Sequence, residues 1–158
     1  MHEFKSLTVA IRSLVGEWES LLLSLSEDMI TKRRNSQNRT IKQIVGHMID
    51  SASNNTHRIV YLHYQDGPLA FPNYATHGNN DRWIAIQRYQ EEEWHNLIQL
   101  WKYSNLHLAH VIDYADPSKL ENQWQAGEGR LISMRVMIVG YLTHLKLHLD
   151  EIEALIQS

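Results

Sequence analysis

The stretch L-T-H-L-K-L-H-L-D-E-I, residues 142–152, decides the fold. It belongs to a longer pattern over Met134–Ile156, in which Met134, Ile138, Tyr141, Leu142, Leu145, Leu149, Ile152 and Ile156 recur at helical spacing. At about 100° per residue these positions form one stripe, while Arg135, Lys146, Asp150 and Glu153 gather on the other side. His148 falls almost opposite the middle of the charged side, and His144 lies about 40° away on the same inner flank. Two imidazoles one turn apart that face a bundle interior make poor packing. In the neutral form they can converge on one cation.

The rest of the chain supplies partners for this helix. Ser133 is placed to cap it, and Gln123 to Ile132, with Gly127 and Gly129, reads as a hairpin-like excursion. A first helix is predicted from Phe4 to Ser26 on the spacing of Leu7, Ala10, Ile11, Leu14, Trp18, Leu21, Leu22 and Leu25. Lys32 to Arg39 is polar and loop-like, and its basic run Lys32-Arg33-Arg34 reads as a solvated turn. Thr40 with Gln43 makes a capping box for a second helix, Ile41 to Tyr64. A third helix starts at Asn80 or Asp81 and runs to Asp113, with room for a kink or break. Its row of Trp83, Trp94, Leu97, Trp101, Leu108 and Ile112 reads as core. The three prolines lie outside these periodic segments. The predicted architecture is all-α: one domain over residues 1–158, an antiparallel four-helix bundle with long loops after the second and third helices. The loop from Asp66 to Asn80 is placed to close one end of a pocket, and the long connections allow a topology other than simple up-down-up-down.

A two-histidine metal site is weak, so a third ligand is expected from another helix. His47 fits, at the edge of the second helix's apolar stripe beside Ser51, Asn54, Asn55 and Arg58. Ser51 and Asn55 fall within the apolar face itself, which suggests a wet cavity, because buried polar groups without partners are costly. The alternative is a set of polar residues bonded to one another. His2, His57, His63, His77, His95, His107 and His110 read as surface or loop residues. Three nitrogen ligands suit zinc, nickel, iron, cobalt or manganese as divalent ions and leave positions open for water or substrate. Glu151 or Asp50 could accept a ring N–H from a ligand histidine, although both project at least partly toward solvent on the helical pattern.

Composition narrows the classes. The chain has 158 residues, 43% of them hydrophobic, enough to bury a core. A net charge of -3 offers no field for nucleic acid. The lack of cysteine removes disulfides, thiolate ligands and a cysteine nucleophile. No stretch is long and apolar enough for a membrane span, and the N-terminus lacks signal-peptide character, so a cytoplasmic protein is expected.

The segment T-I-K-Q-I-V-G-H-M-I-D-S, residues 40–51, followed by N-N-x-x-R at 54–58, resembles the second helix of the DinB/YfiT-like superfamily. H-L-K-L-H-L-D-E-I, residues 144–152, resembles that superfamily's last-helix metal motif. The resemblance spans the chain in length and helix order. It implies a four-helix bundle, commonly a homodimer, with a divalent metal held by His47, His144 and His148. It also implies a small-molecule substrate and, as the leading expectation, thiol S-transfer from a low-molecular-weight thiol, with isomerisation and metal-dependent hydrolysis as the other branches. Ser51, Asn55 and Arg58 are candidate substrate-binding residues, with Asn55 and Arg58 placed to orient an anion. The residues leave open an enzyme, a metal-binding protein without turnover, and an empty site of hydrogen-bonded histidines.

Overall fold

Thr40 opens the central helix with the predicted capping box. In the computed structural model, which describes residues 2–158, its side chain accepts the Gln43 N–H and the Gln43 side chain accepts the Thr40 N–H. In chain order the helices are α1 (Lys5–Leu23), α2 (Glu27–Lys32), α3 (Ile41–Tyr64), α4 (Asn79–Gln87), α5 (Trp94–Asp113) and α6 (Met134–Gln157). The expected excursion is a short antiparallel hairpin, β1 (Gln123–Gln125) and β2 (Leu131–Ser133), which pairs Trp124 with Ile132. Ser133 then caps α6 by accepting the Val136 N–H.

The four long helices pack as α3 on α5, α5 on α1, α1 on α6 and α6 on α3. The consecutive helices α1 and α3 therefore sit across the bundle from each other. Polar contacts fix the directions. Thr8 and Arg12 near the start of α1 bond Asp113 at the end of α5, and Trp94 at the start of α5 donates to the Leu22 carbonyl, so α1 and α5 run antiparallel. Helix α6 runs antiparallel to α3, with His148 against His47 and His144 against Ser51. The other two adjacent pairs are parallel: Lys42 at the start of α3 donates to the Glu92 carbonyl just before α5, and Arg135 at the start of α6 pairs with Glu3 just before α1. The expected antiparallel packing thus holds for two of the four pairs. The long connection from Gln65 to Glu93 carries the chain back to the end where α3 began, which produces the departure from up-down-up-down.

The core is one cluster fed by all four long helices, with Ile11 and Leu22, Ile44 and Met48, Trp101 and Leu108, Leu145 and Leu149 among its buried members. Tyr141 donates across its centre to Asn105 Oδ1 at 2.6 Å. Three expectations need correction. The first helix ends at Leu23, because Ser26 accepts the Met29 N–H and starts α2 with Glu27 and Asp28 in its first turn. The third helix takes the break its length allowed, at Arg88 with a positive φ of 53°, and the error is in the core row: Trp83 sits on α4 and is 38% exposed. Arg33 is not simply solvated: its Nη1 donates to the Leu155 and Ile156 carbonyls and caps the end of α6.

Gly46 shows how closely the connection between α4 and α5 is laid on α3. A Cβ at residue 46 would stand 2.1 Å from the Tyr89 ring. Alanine normally favours a helix over glycine by about 0.5–1 kcal/mol, and Gly16 on α1 has nothing within 4 Å of such an atom. Gly16→Ala should therefore stabilise the fold by up to about 1 kcal/mol in urea denaturation. Gly46→Ala should destabilise it by about 1–3 kcal/mol, because overpacking outweighs the helix gain. Equal and positive shifts from both would show that Tyr89 does not lie on Gly46.

Candidate metal centre

Helix α3 is buried on nearly every side over its first half, and its inward polar residues include His47, which is 3% exposed. Helix α6 brings His144 and His148 against it. One ligand nitrogen from each of the three rings lies within 4.8 Å of the other two. The His47 ring centroid is 5.6 Å from that of His144 and 4.6 Å from that of His148. The Nε2 atoms of His144 and His148 face each other at 3.1 Å. Two imidazole nitrogens on one ion, each at about 2.0–2.1 Å, stand roughly 3.0–3.4 Å apart at coordination angles of about 90–110°. The observed spacing lies in that range.

The outer ring nitrogens are held by the protein. His148 Nδ1 lies 3.0 Å from Glu151 Oε2, and His144 Nδ1 lies 3.3 Å from Ser51 Oγ. With Nδ1–H donating to Glu151, His148 keeps its Nε2 lone pair for the centre. Asn55 steadies Ser51 by donating to its carbonyl at 2.8 Å. His47 Nδ1 is buried without a hydrogen-bond partner. Burial first, then the neighbouring imidazole of His148, takes His47 down to about 2, and the same two causes take His144 down to about 4. Both stay neutral at physiological pH, the form a metal ligand needs. An orphaned buried imidazole nitrogen is costly in a closed core, and the three-ring cluster it belongs to fits a cation. Among the described residues no carboxylate joins the cluster as a fourth ligand.

No protein-family model matches the sequence, and no curated protein matches it significantly. Among solved structures, YfiT from Bacillus subtilis is similar with a TM-score of 0.81 over 94% of this chain and 82% of that one, at 13% identity. The fold is that of YfiT. That protein is described as a probable metal-dependent hydrolase with an unusual four-helix bundle topology. At 13% identity the likeness carries the fold alone.

In this YfiT-type bundle a cavity of about 230 Å³ opens beside the histidines. Its walls include Ser51, Asn55, Arg58, Tyr74, Trp124 and His144. All three residues expected to meet substrate therefore line it. From the loop after α3, Asn73, Tyr74 and Ala75 also line it. Trp124 was missed in the sequence. It lies on β1 under the Arg58 guanidinium, 3.8 Å from Cζ to the ring centroid, and its Nε1 donates to the Phe71 carbonyl at 2.9 Å. The available signal was a single large aromatic inside the polar Q-W-Q of a glycine-bounded hairpin. His57, His77, His95, His107 and His110 are exposed, as expected. His63 is a structural residue: one ring nitrogen is 2.6 Å from the Ile59 carbonyl and the other accepts the Asp116 N–H at 3.0 Å.

Asp50 corrects the remaining expectation. It is 1% exposed rather than solvent-facing, and it serves no histidine. Its Oδ1 accepts from Tyr89 at 2.6 Å and Gln87 at 2.8 Å, while Oδ2 has no partner. Burial outweighs those two donors and raises its pKa to about 6. The folded state thus binds the proton more tightly than the unfolded chain, where an aspartate titrates near about 3.9. The resulting stabilisation is complete below pH ~4 and is lost as pH rises through about 6. Urea denaturation of wild type and Asp50→Asn should show the variant gaining on wild type between those pH values, by about 2–3 kcal/mol at most. A stability difference that is flat with pH would contradict this reading.

Proposed function

We propose that His47, His144 and His148 hold one divalent metal ion and that the protein is a metal-dependent hydrolase of a small molecule. The observation that carries this reading is the meeting of three ring nitrogens within 4.8 Å, two of them fixed from behind by Glu151 and Ser51. Three protein ligands and no fourth carboxylate fit a catalytic site better than a closed structural one. The description of YfiT as a probable metal-dependent hydrolase agrees with it.

When bound, such an ion supplies Lewis acidity and a nucleophile at neutral pH. The chain's own residues do the rest. Glu151 accepts the His148 Nδ1–H and sets the tautomer. Ser51, held by Asn55, does the same for His144. Tyr74 and Trp124 narrow the cavity and shed water from it, and Arg58 gives it positive charge. Thiol S-transfer needs the same histidines and differs in the incoming nucleophile. No residue of the cavity favours a thiol, so hydrolysis is the preferred reading. The homodimer remains a proposal, with exposed apolar residues for it at Val9 on α1 and at Leu100, Tyr103 and Tyr114 along α5.

The test is metal uptake followed by turnover. Chelator-stripped protein should take up one zinc or manganese ion per chain, and His148→Ala should take up none. Glu151→Gln should weaken binding by about 10–100-fold. The loaded protein should hydrolyse at least one class in a panel of small esters, amides and phosphoesters, and wild type without metal should not. Stoichiometric metal with no hydrolysis, but with conjugation of a low-molecular-weight thiol to an electrophile, would replace the hydrolase by a transferase. No metal uptake would refute both.

A further inference from the structure

Among the described residues Arg58 is the one Lys or Arg in the cavity wall, and no carboxylate pairs with it. The residue is 5% exposed, and its Nε and Nη2 atoms are buried without a hydrogen-bond partner. No acidic residue lines the cavity. Its guanidinium lies flat enough against Trp124 to place Cζ 3.8 Å from the ring centroid, with Phe71 at 5.6 Å and Tyr74 at 5.9 Å. Burial lowers its pKa only to about 10, so the charge is present at neutral pH. Stacking on aromatic faces offsets part of the cost of a buried cation, but it leaves the in-plane N–H donors unserved. A fully buried donor pair without an acceptor calls for an explanation.

The two free atoms define a particular shape. Nε and Nη2 form one edge of the guanidinium, with two roughly parallel N–H bonds that match the two oxygens of a carboxylate. The protein uses that same edge twice elsewhere. Arg39 donates from Nε and Nη2 to one oxygen of Asp81, Oδ1, at 3.1 and 2.9 Å, and Arg88 donates from the same two atoms to the two oxygens of Glu91. Only at Arg58, of these three, does the edge lack its acid. Tyr74 packs close to both Arg58 and the histidines, with its ring centroid 5.9 Å from Arg58 Cζ and 6.0 Å from the His47 ring. Arg58 and His144 both line the cavity.

We propose that Arg58 anchors the substrate through a carboxylate, so that the molecule acted on is a small carboxylic acid with its reacting group at the end away from the anion. The proposal deepens the hydrolase reading and rests on it for which end reacts. The anchoring itself needs no metal. A cavity of about 230 Å³ is below the usual range for drug-sized ligands and suits a short acid rather than a peptide or polymer. The Trp124 and Phe71 rings would cover its hydrocarbon part.

The experiment uses metal-free, chelator-free, 15N-labelled protein, in which the Arg58 Nε–Hε signal is assigned by its loss in Arg58→Lys. Propionate, its neutral isostere propionamide, and inorganic phosphate are titrated against sodium chloride at equal ionic strength. The expected result is a saturable movement of that signal with propionate, binding at least about tenfold weaker for phosphate, and no response to propionamide. Propionate should also raise the melting temperature of wild type and of His148→Ala, and not that of Arg58→Lys. No saturable effect of propionate, an equal effect of propionamide, or tighter binding of phosphate overturns the proposal. An Arg58 that only fastens the loop and hairpin to α3 gives the first of these results. Failure of the metal reading is separable: lost metal uptake with intact propionate binding leaves Arg58 as the anchor, and metal uptake without propionate binding removes it.

Discussion

The structure depends on enclosing polar side chains of α3. Lys42, His47, Asp50, Ser51, Asn54, Asn55 and Arg58 all lie on one helix, and all are buried. Most find an acceptor or donor close by. Lys42 has the Glu92 carbonyl, Asp50 has Tyr89 and Gln87, and Asn54 and Asn55 turn back to carbonyls one turn earlier. Two side chains are left with unserved nitrogens, His47 and Arg58. The tolerance of proteins for such groups is low, and both pack near Tyr74, Arg58 in the cavity wall and His47 in the histidine cluster. Asp50 Oδ2 is unserved as well, but His47 and Arg58 are the two that adjoin the histidine cluster and the cavity, where a ligand would complete the hydrogen bonding.

This arrangement explains the unusual connections. A simple up-down-up-down bundle would leave one flank of α3 to solvent. Here the chain after Tyr64 runs back as a loop and α4, lays Tyr89 against Gly46, and only then starts α5 parallel to α3. The hairpin before α6 covers the far end, where Leu69 pairs with β1 and Trp124 lies under Arg58. Both long connections thus roof the polar helix. The similarity to YfiT at 13% identity concerns this layout of helices and connections; the cavity's chemistry has to be read from this chain's own residues.

The parts legible in sequence were those set by local spacing. The capping box at Thr40 and Gln43 placed the start of α3 to the residue, and the period of Leu145, Leu149 and Ile152 placed His144 and His148 on the inner flank of α6. His47 was legible because it shares a face with Ser51 and Asn55. What escaped was set by contacts distant in the chain. Arg33 looks like part of a solvated basic run until the end of α6 arrives beside it. Asp50 looks exposed on a helical wheel until Gln87 and Tyr89 cover it. Trp124 and Gly46 carry no periodic signal, because each is defined by one partner more than forty residues away, Arg58 in one case and Tyr89 in the other.

The central claim is that three imidazoles from α3 and α6 share one cation and leave it room for another molecule. X-ray absorption on the zinc-loaded protein tests it most directly. The account predicts three imidazole nitrogens at about 2.0–2.1 Å and at least one further light-atom ligand from solvent. A zinc ion with two histidines or fewer, or with its remaining positions filled by protein carboxylates, would contradict it.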